Sequence, residues 1–206
     1  MPSNTLNIAV FASGGGSNFQ AIHDACVKGT IPGRISLVVA SSAKAGVLER
    51  AARHNIPSRI CNISDDAMQI MEGYEVDIVV LAGYMRLIPE HVVTAFKDRM
   101  LNVHPSLLPA FGGKGMYGTR VHEAVVRHGV KVTGATIHLV DNAYDSGPIV
   151  LQEAIPVESH ETPDDIAARV LEVEHRIYPE AVRLLAEKRL HREGRRVHIL
   201  PKTSAS

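Results

Sequence analysis

Asn7-Ile8-Ala9-Val10-Phe11-Ala12-Ser13-Gly14-Gly15-Gly16-Ser17-Asn18-Phe19-Gln20-Ala21-Ile22 passes from an apolar run through a glycine loop into a segment of helical period. Asn7 to Ala12 reads as a first strand. Ser17 is placed to cap a helix through about Lys28, with Phe19, Ile22 and Cys26 on one face. A strand that hands over to a helix through glycines is the repeating unit of an α/β domain.

The same alternation continues outward from that unit. Strands are predicted at Ile35–Ala40, Ser58–Cys61, Val76–Ala82 and Leu101–His104. Helices are predicted at Gly46–His54, Asp65–Met71, from Pro89 as its first residue, and at Thr119–His128. Val132–Val140 and Ile149–Val157 follow each other with no helix between them, which predicts an antiparallel excursion. Thr162-Pro163-Asp164-Asp165 starts a helix to about Leu190, and the basic tail forms a short hairpin or frays. The expected fold is α/β: an open, mostly parallel twisted sheet with helices on both faces, Rossmann-like, with the antiparallel strands near the C-terminal part. A single domain over 1–206 is expected, its core at about 7–190 and its tail at 191–206.

Composition supports a buried parallel sheet, because 45% of the 206 residues are apolar while only 4% are aromatic and none is Trp. Aliphatic side chains therefore build the core. Lys plus Arg balance Asp plus Glu at 22 each, so no global field attracts nucleic acid or anionic lipid. Cys26 and Cys61 have no metal-like spacing and read as buried free thiols. The polar start Met1–Asn7 lacks a signal pattern, and no apolar run approaches the ~20 residues of a membrane span. A soluble, cytoplasmic protein with no nucleic-acid or membrane partner is expected.

The loop Ser13-Gly14-Gly15-Gly16-Ser17-Asn18 sits where backbone N–H groups and a helix dipole attract an anion. It is not a dinucleotide fingerprint, since Phe19 occupies the third glycine position and Ser41 and Ser42 stand where a ribose-binding acid is needed. It lacks the Gly-Lys-Ser/Thr of a Walker loop. Two readings remain: a cradle for a phosphate monoester, or a tight turn without a ligand.

Asn102 and His104 lie two apart on a strand and share a face, with His104 where the strand stops. An amide donor beside an imidazole in the crevice at a strand end suits acyl transfer, which develops negative charge on a carbonyl oxygen. Asp145, in the polar loop Asp141–Pro148, supplies a carboxylate that favours the imidazolium.

The motifs Ser13–Asn18, Leu81-Ala82-Gly83-Tyr84-Met85-Arg86, Leu101–Pro109 and Asp145-Ser146-Gly147-Pro148, with Glu174-His175-Arg176-Ile177-Tyr178-Pro179, occur in this order. In them the chain resembles the folate-dependent phosphoribosylglycinamide formyltransferases over about Asn7 to Leu190. The resemblance implies the formyltransferase variant of the Rossmann-like fold. It also implies transfer of the formyl group of 10-formyltetrahydrofolate to the amine of glycinamide ribonucleotide, in purine synthesis. By the same resemblance Gly15, Gly16, Ser17 and Asn18 bind the substrate phosphate and Glu174 the ribose or amine end. Met85, Arg86, Leu87 and Ile88 line the folate pocket, with Arg86 meeting the glutamate carboxylate, and Val140 to Asp145, including Asp141, wrap the pterin. Asn102, His104 and Asp145 form the catalytic trio, His138 stands behind them, and no metal takes part.

Three departures from the family pattern are visible, the first being that the loop Phe111–Arg120 is longer than in some relatives, so no substrate contact is carried over to Lys114 or Arg120. The segment Asn62–Tyr74 is shorter than its counterpart, and Leu171 stands where some relatives carry a basic residue, with Arg169 as the substitute. Methionyl-tRNA formyltransferases carry a similar Asn-x-His and Asp arrangement with a further nucleic-acid-binding domain, formyltetrahydrofolate hydrolases usually have an extra N-terminal regulatory domain, and the chain is expected to be neither. A monomer or a homodimer is expected; Ile70–Tyr74 either pairs with a second subunit or covers this subunit's own core.

Overall fold

β1 (Leu6–Ala12) leads through the glycine loop into α1 (Ser17–Val27), followed by β2 (Gly33–Ala40), α2 (Val47–Arg53) and β3 (Ser58–Ile60). Next come α3 (Ala67–Met71), β4 (Ile78–Leu81), α4 (Glu90–Ala95), β5 (Met100–His104) and α5 (Thr119–His128). β6 (Val132–Leu139), β7 (Ile149–Pro156), α6 (Pro163–Ala186), β8 (Leu190–Glu193) and β9 (Arg196–Ile199) follow. This computed structural model describes residues 5–62 and 65–202. The first four residues of the polar start, Ile63 and Ser64, and the last four of the tail lie outside the described residues.

The seven-stranded sheet has the order β3-β2-β1-β4-β5-β6-β7. β1 through β5 are parallel, and β6 and β7 are antiparallel to their neighbours, which is the expected excursion. The chain runs outward from β1 to β3 and then crosses back to β4 on β1's other side. That reversal makes the carboxyl ends of β1 and β4 the topological switch point, where α/β sheets open a crevice.

The two-residue period of β1 sorts its side chains. Ile8, Val10 and Ala12 enter one core with Phe19 and Ile22 of α1, Val47 of α2, Val125 of α5 and Ile166, Val170 and Tyr178 of α6. Ala9 and Phe11 enter the other core with Met71 of α3 and Val92 of α4. Helices thus cover both faces. Ile70 and Tyr74 pack against this second core, so they cover this chain's own interior.

Three boundaries differ from the sequence reading. α1 has Gly16, in the left-handed region at φ 77, as its N-cap, and no side chain caps it. Ser17 is its first helical residue. A missing cap forgoes about 1 kcal/mol, while the fully buried Phe19 and Ile22 each contribute about 1.5–3 kcal/mol. Packing decides the helix and leaves its first N–H groups open. Pro89 is the N-cap of α4, not its first residue. α6 begins as expected, with Thr162 and Asp165 in a reciprocal capping box, but stops at Ala186. The chain then turns into the β8–β9 hairpin, whose Leu190 and Val197 pack on the first core. Cys26 is half-buried and Cys61 buried, both free thiols.

Candidate active site

The loop after β1 is fixed by its neighbours. Ser13 donates its N–H to Gly83 O (3.1 Å), and its Oγ accepts the N–H of Met85 (3.1 Å), joining the ends of β1 and β4. A Cβ on Gly16 would lie 2.8 Å from Val47 Cγ2, and its φ of 77 is one that other residues rarely adopt. Among the described residues, the N–H groups of Gly15, Gly16, Ser17 and Asn18 have no partner. They form one wall of a cleft of about 650 Å³.

Asn102 and His104, at the end of β5, line the same cleft, together with Asp145 of the loop between β6 and β7. His104 is 3% exposed. Its Nε2 lies 2.8 Å from Phe111 O and its Nδ1 3.4 Å from Asp145 Oδ2. Both ring nitrogens face acceptors, so a ring carrying two protons satisfies both contacts.

Asn102 Nδ2 lies 3.0 Å from His138 Nε2 and 3.4 Å from Asp145 Oδ1. The reversed amide would set its oxygen against a carboxylate, which assigns the orientation. His138 donates from Nδ1 to Leu139 O (2.8 Å), leaving Nε2 to accept from Asn102. Asp145 sits at φ 53, and its Oδ2 also accepts the N–H of Gly113 (2.9 Å). Burial alone raises the Asp145 carboxyl. The contact and charge of His104 and the Gly113 N–H outweigh burial and hold it far below the usual carboxylate range.

Glu174 of α6 also faces the cleft and is 7% exposed. Its Oε2 accepts from Asn18 Nδ2 at 2.6 Å, so the Asn18 side chain is tied to Glu174 while its backbone N–H stays open. Burial pushes the Glu174 carboxyl up, with the Asn18 bond and His104 pulling the other way. Asn18 Oδ1 is buried without a partner.

The residues expected to hold the folate separate into groups. Met85 lines the main cleft and, with Arg86, Leu87 and Ile88, an adjoining hollow of about 320 Å³ that also includes Cys61, Tyr84 and Tyr144. Arg86 is otherwise engaged than expected. Its guanidinium donates to Cys61 O (2.5 Å) and Ser41 O (2.6 Å), clamping the ends of β3 and β2. Val140 lines neither space and packs on the second core. Asp141 accepts from Ala143 N (3.1 Å) and Ser146 Oγ (2.6 Å), so it shapes its own loop. Leu171 lines the cleft, whereas Arg169 pairs with Glu161 (2.5 Å) and does not take the basic position.

His122 is a cleft residue that no motif marks. It sits one turn into α5, buried, with Nδ1 unpartnered, and burial and His104 lower its pKa while Asp164 opposes them. Only an amphipathic reading of α5 that places His122 on the inner face reveals it. Lys114 and Arg120 also line the cleft, with the Arg120 guanidinium over the Tyr117 ring at 4.8 Å. Among the described residues no group of three or more His, Cys, Asp or Glu is placed to hold a metal ion. Among the described residues no helix is long and apolar enough to cross a membrane.

The Formyl transferase family profile matches residues 6–182. The chain is 37% identical to the phosphoribosylglycinamide formyltransferase of Escherichia coli (strain K12), covering 90% of this chain and 89% of that one. It is 43% identical to the chloroplastic phosphoribosylglycinamide formyltransferase of Vigna unguiculata over 89% of this chain. The chain spans 62% of that plant protein's length and 66% of the Arabidopsis thaliana counterpart's. The solved glycinamide ribonucleotide transformylase 1 of Symbiobacterium toebii superimposes with a TM-score of 0.89 at 45% identity, covering 96% of this chain and 95% of that one. With a profile that takes in the glycine loop, the Asn102–His104 strand end and Asp145 alike, the chain belongs to the formyl transferases, in the phosphoribosylglycinamide formyltransferase family.

Proposed function

We propose that the chain, acting as one formyltransferase domain over 1–206, transfers the formyl group of 10-formyltetrahydrofolate to the amine of glycinamide ribonucleotide. The observation that carries this reading is that two unlike sets of groups line one cleft. One offers unpartnered N–H groups at Gly15 to Asn18, suited to a phosphate monoester. The other offers an amide, an imidazole and a carboxylate, suited to an oxygen turning anionic.

In this reading the phosphate lies on the glycine loop and Glu174 takes the ribose or amine end. The folate lies along Met85, Leu87 and Ile88, beside Tyr144. The amine attacks the formyl carbon, forming a C–N bond and an oxyanion. The 3.4 Å spacings from Asp145 to Asn102 and His104 exceed the ~2.7–2.9 Å of a tight charged hydrogen bond. The amide and the ring therefore have donor strength to lend to the oxyanion. The amine proton leaves towards Asp145 through a water. Collapse breaks the carbon's bond to the folate nitrogen, which takes a proton from His104, giving formylglycinamide ribonucleotide and tetrahydrofolate. His138 keeps the Asn102 amide turned to the reacting side. No step calls on a metal, a nucleic acid or a membrane, and the protein is read as cytoplasmic.

Following folate absorbance with both substrates present tests this. Turnover that depends on glycinamide ribonucleotide is expected. Equal folate conversion without the amine, meaning hydrolysis, overturns the assignment.

A further inference from the structure

Two consecutive peptides of the glycine loop are held from behind by α2. Gly14 O accepts the N–H of Val47 (3.1 Å), and Gly15 O accepts from Arg50 Nε (2.7 Å). A trans peptide points its C=O and N–H in opposite directions. The Gly14–Gly15 unit, tied to α2 by its oxygen, therefore turns the Gly15 N–H away from α2, and Arg50 does the same for the Gly16 N–H. Both N–H groups are unpartnered among the described residues, and both glycines line the cleft. Arg50 itself is not among the residues that line the cleft.

We propose that Arg50 is a positioning residue for the substrate's phosphate monoester, fixing the Gly15–Gly16 peptide so that its N–H faces the anion. The proposal rests on the glycine loop being the phosphate cradle. Arg50 acts through the peptide and not by touching the phosphate. Its donation to Gly15 O polarises the peptide and strengthens the N–H on the far side, and its positive charge stands behind a cradle to which, among the described residues, no other side-chain cation is bonded. Without the Arg50 bond, glycine at 15 and 16 leaves this peptide free to rotate.

The test compares wild type, Arg50→Met and Arg50→Lys with glycinamide ribonucleotide and with glycinamide riboside, the same amine lacking phosphate. The Gly15 and Gly16 amide resonances are followed in parallel as inorganic phosphate is titrated. Arg50→Met is expected to raise KM for the ribonucleotide about tenfold, with kcat and the folate KM within twofold of wild type. The riboside is expected to react as it does with wild type, and the phosphate titration to shift to about tenfold higher concentration. Arg50→Lys keeps the charge without the fixed guanidinium plane, is expected to lie between, and carries the comparison if Arg50→Met does not fold. An equal loss with the riboside, or an unchanged phosphate titration, overturns the proposal. If wild type does not turn over the ribonucleotide but Arg50→Met still weakens the phosphate response, the reaction assigned above fails while the role of Arg50 stands.

Discussion

Oδ2 of Asp145 lies 3.4 Å from Nδ1 of His104, bringing together a loop and a strand end 41 positions apart in the chain. The same oxygen accepts the Gly113 N–H, so the carboxylate also anchors the glycine-rich loop over the cleft. Its position depends on Gly147, where a Cβ would fall 1.7 Å from Leu139 O.

Asp145→Asn removes the charge while keeping the shape. Turnover is expected to fall about a hundred- to a thousandfold, with an unchanged circular dichroism spectrum. Because the folded carboxyl is held below its unfolded value of about 3.9, its stabilisation is present above that value and is lost as pH falls towards the folded one. Melting curves should show the wild-type advantage over Asp145→Asn constant from pH 6 to 8 and shrinking below about pH 4.

Glu174 carries the opposite shift. Its folded carboxyl titrates above the unfolded value, so ionising it costs stability as pH rises through the range between the two. Glu174→Gln keeps an acceptor for Asn18 and removes that cost. It is expected to raise the melting temperature at pH 7 and to weaken glycinamide ribonucleotide binding. A KM series alongside calorimetry reads both.

Arg86 clamps two strand ends through charge-assisted bonds to Ser41 O and Cys61 O. Arg86→Ala leaves both carbonyls without this partner and is expected to cost about 2–4 kcal/mol, seen as a melting temperature lower by roughly 5–12 °C. If Arg86 served only the folate, its removal would change folate KM and leave melting unchanged.

Gly147→Ala forces the loop away from Leu139 O, displacing Asp145 two residues earlier, and is expected to reduce turnover at least about tenfold. Gly14→Ala meets nothing within 4 Å and is expected to melt as wild type does. Turnover and melting of the two variants side by side check the contrast.

Much of this arrangement was legible in local pattern. Periodicity placed β1, β5 and α5, and the spacing of Asn102 and His104 put both on one face, because strand geometry is set by neighbours in sequence. The turn signals around Asp141–Pro148 marked the loop that carries Asp145. What local pattern could not carry was partner choice across the fold. Arg86 looked free for a ligand carboxylate, but the ends of β2 and β3 supply two carbonyls no closer than 25 positions away. Ser17 looked like the cap because its side chain suits that role, whereas the left-handed Gly16, packed against Val47, takes the place. Val140 turns into the second core while Asp141 is held by bonds within its own loop. His122 lies on an inner helix face next to a cleft that exists only once α1, α5 and α6 have packed.

The most direct test is the single-turnover rate of formyl transfer to glycinamide ribonucleotide in His104→Ala, with saturating substrates and enzyme in excess. A rate about a hundred- to a thousandfold below wild type is expected in a protein that melts normally. A rate within about threefold of wild type, far inside the loss expected for one oxyanion donor, would contradict it.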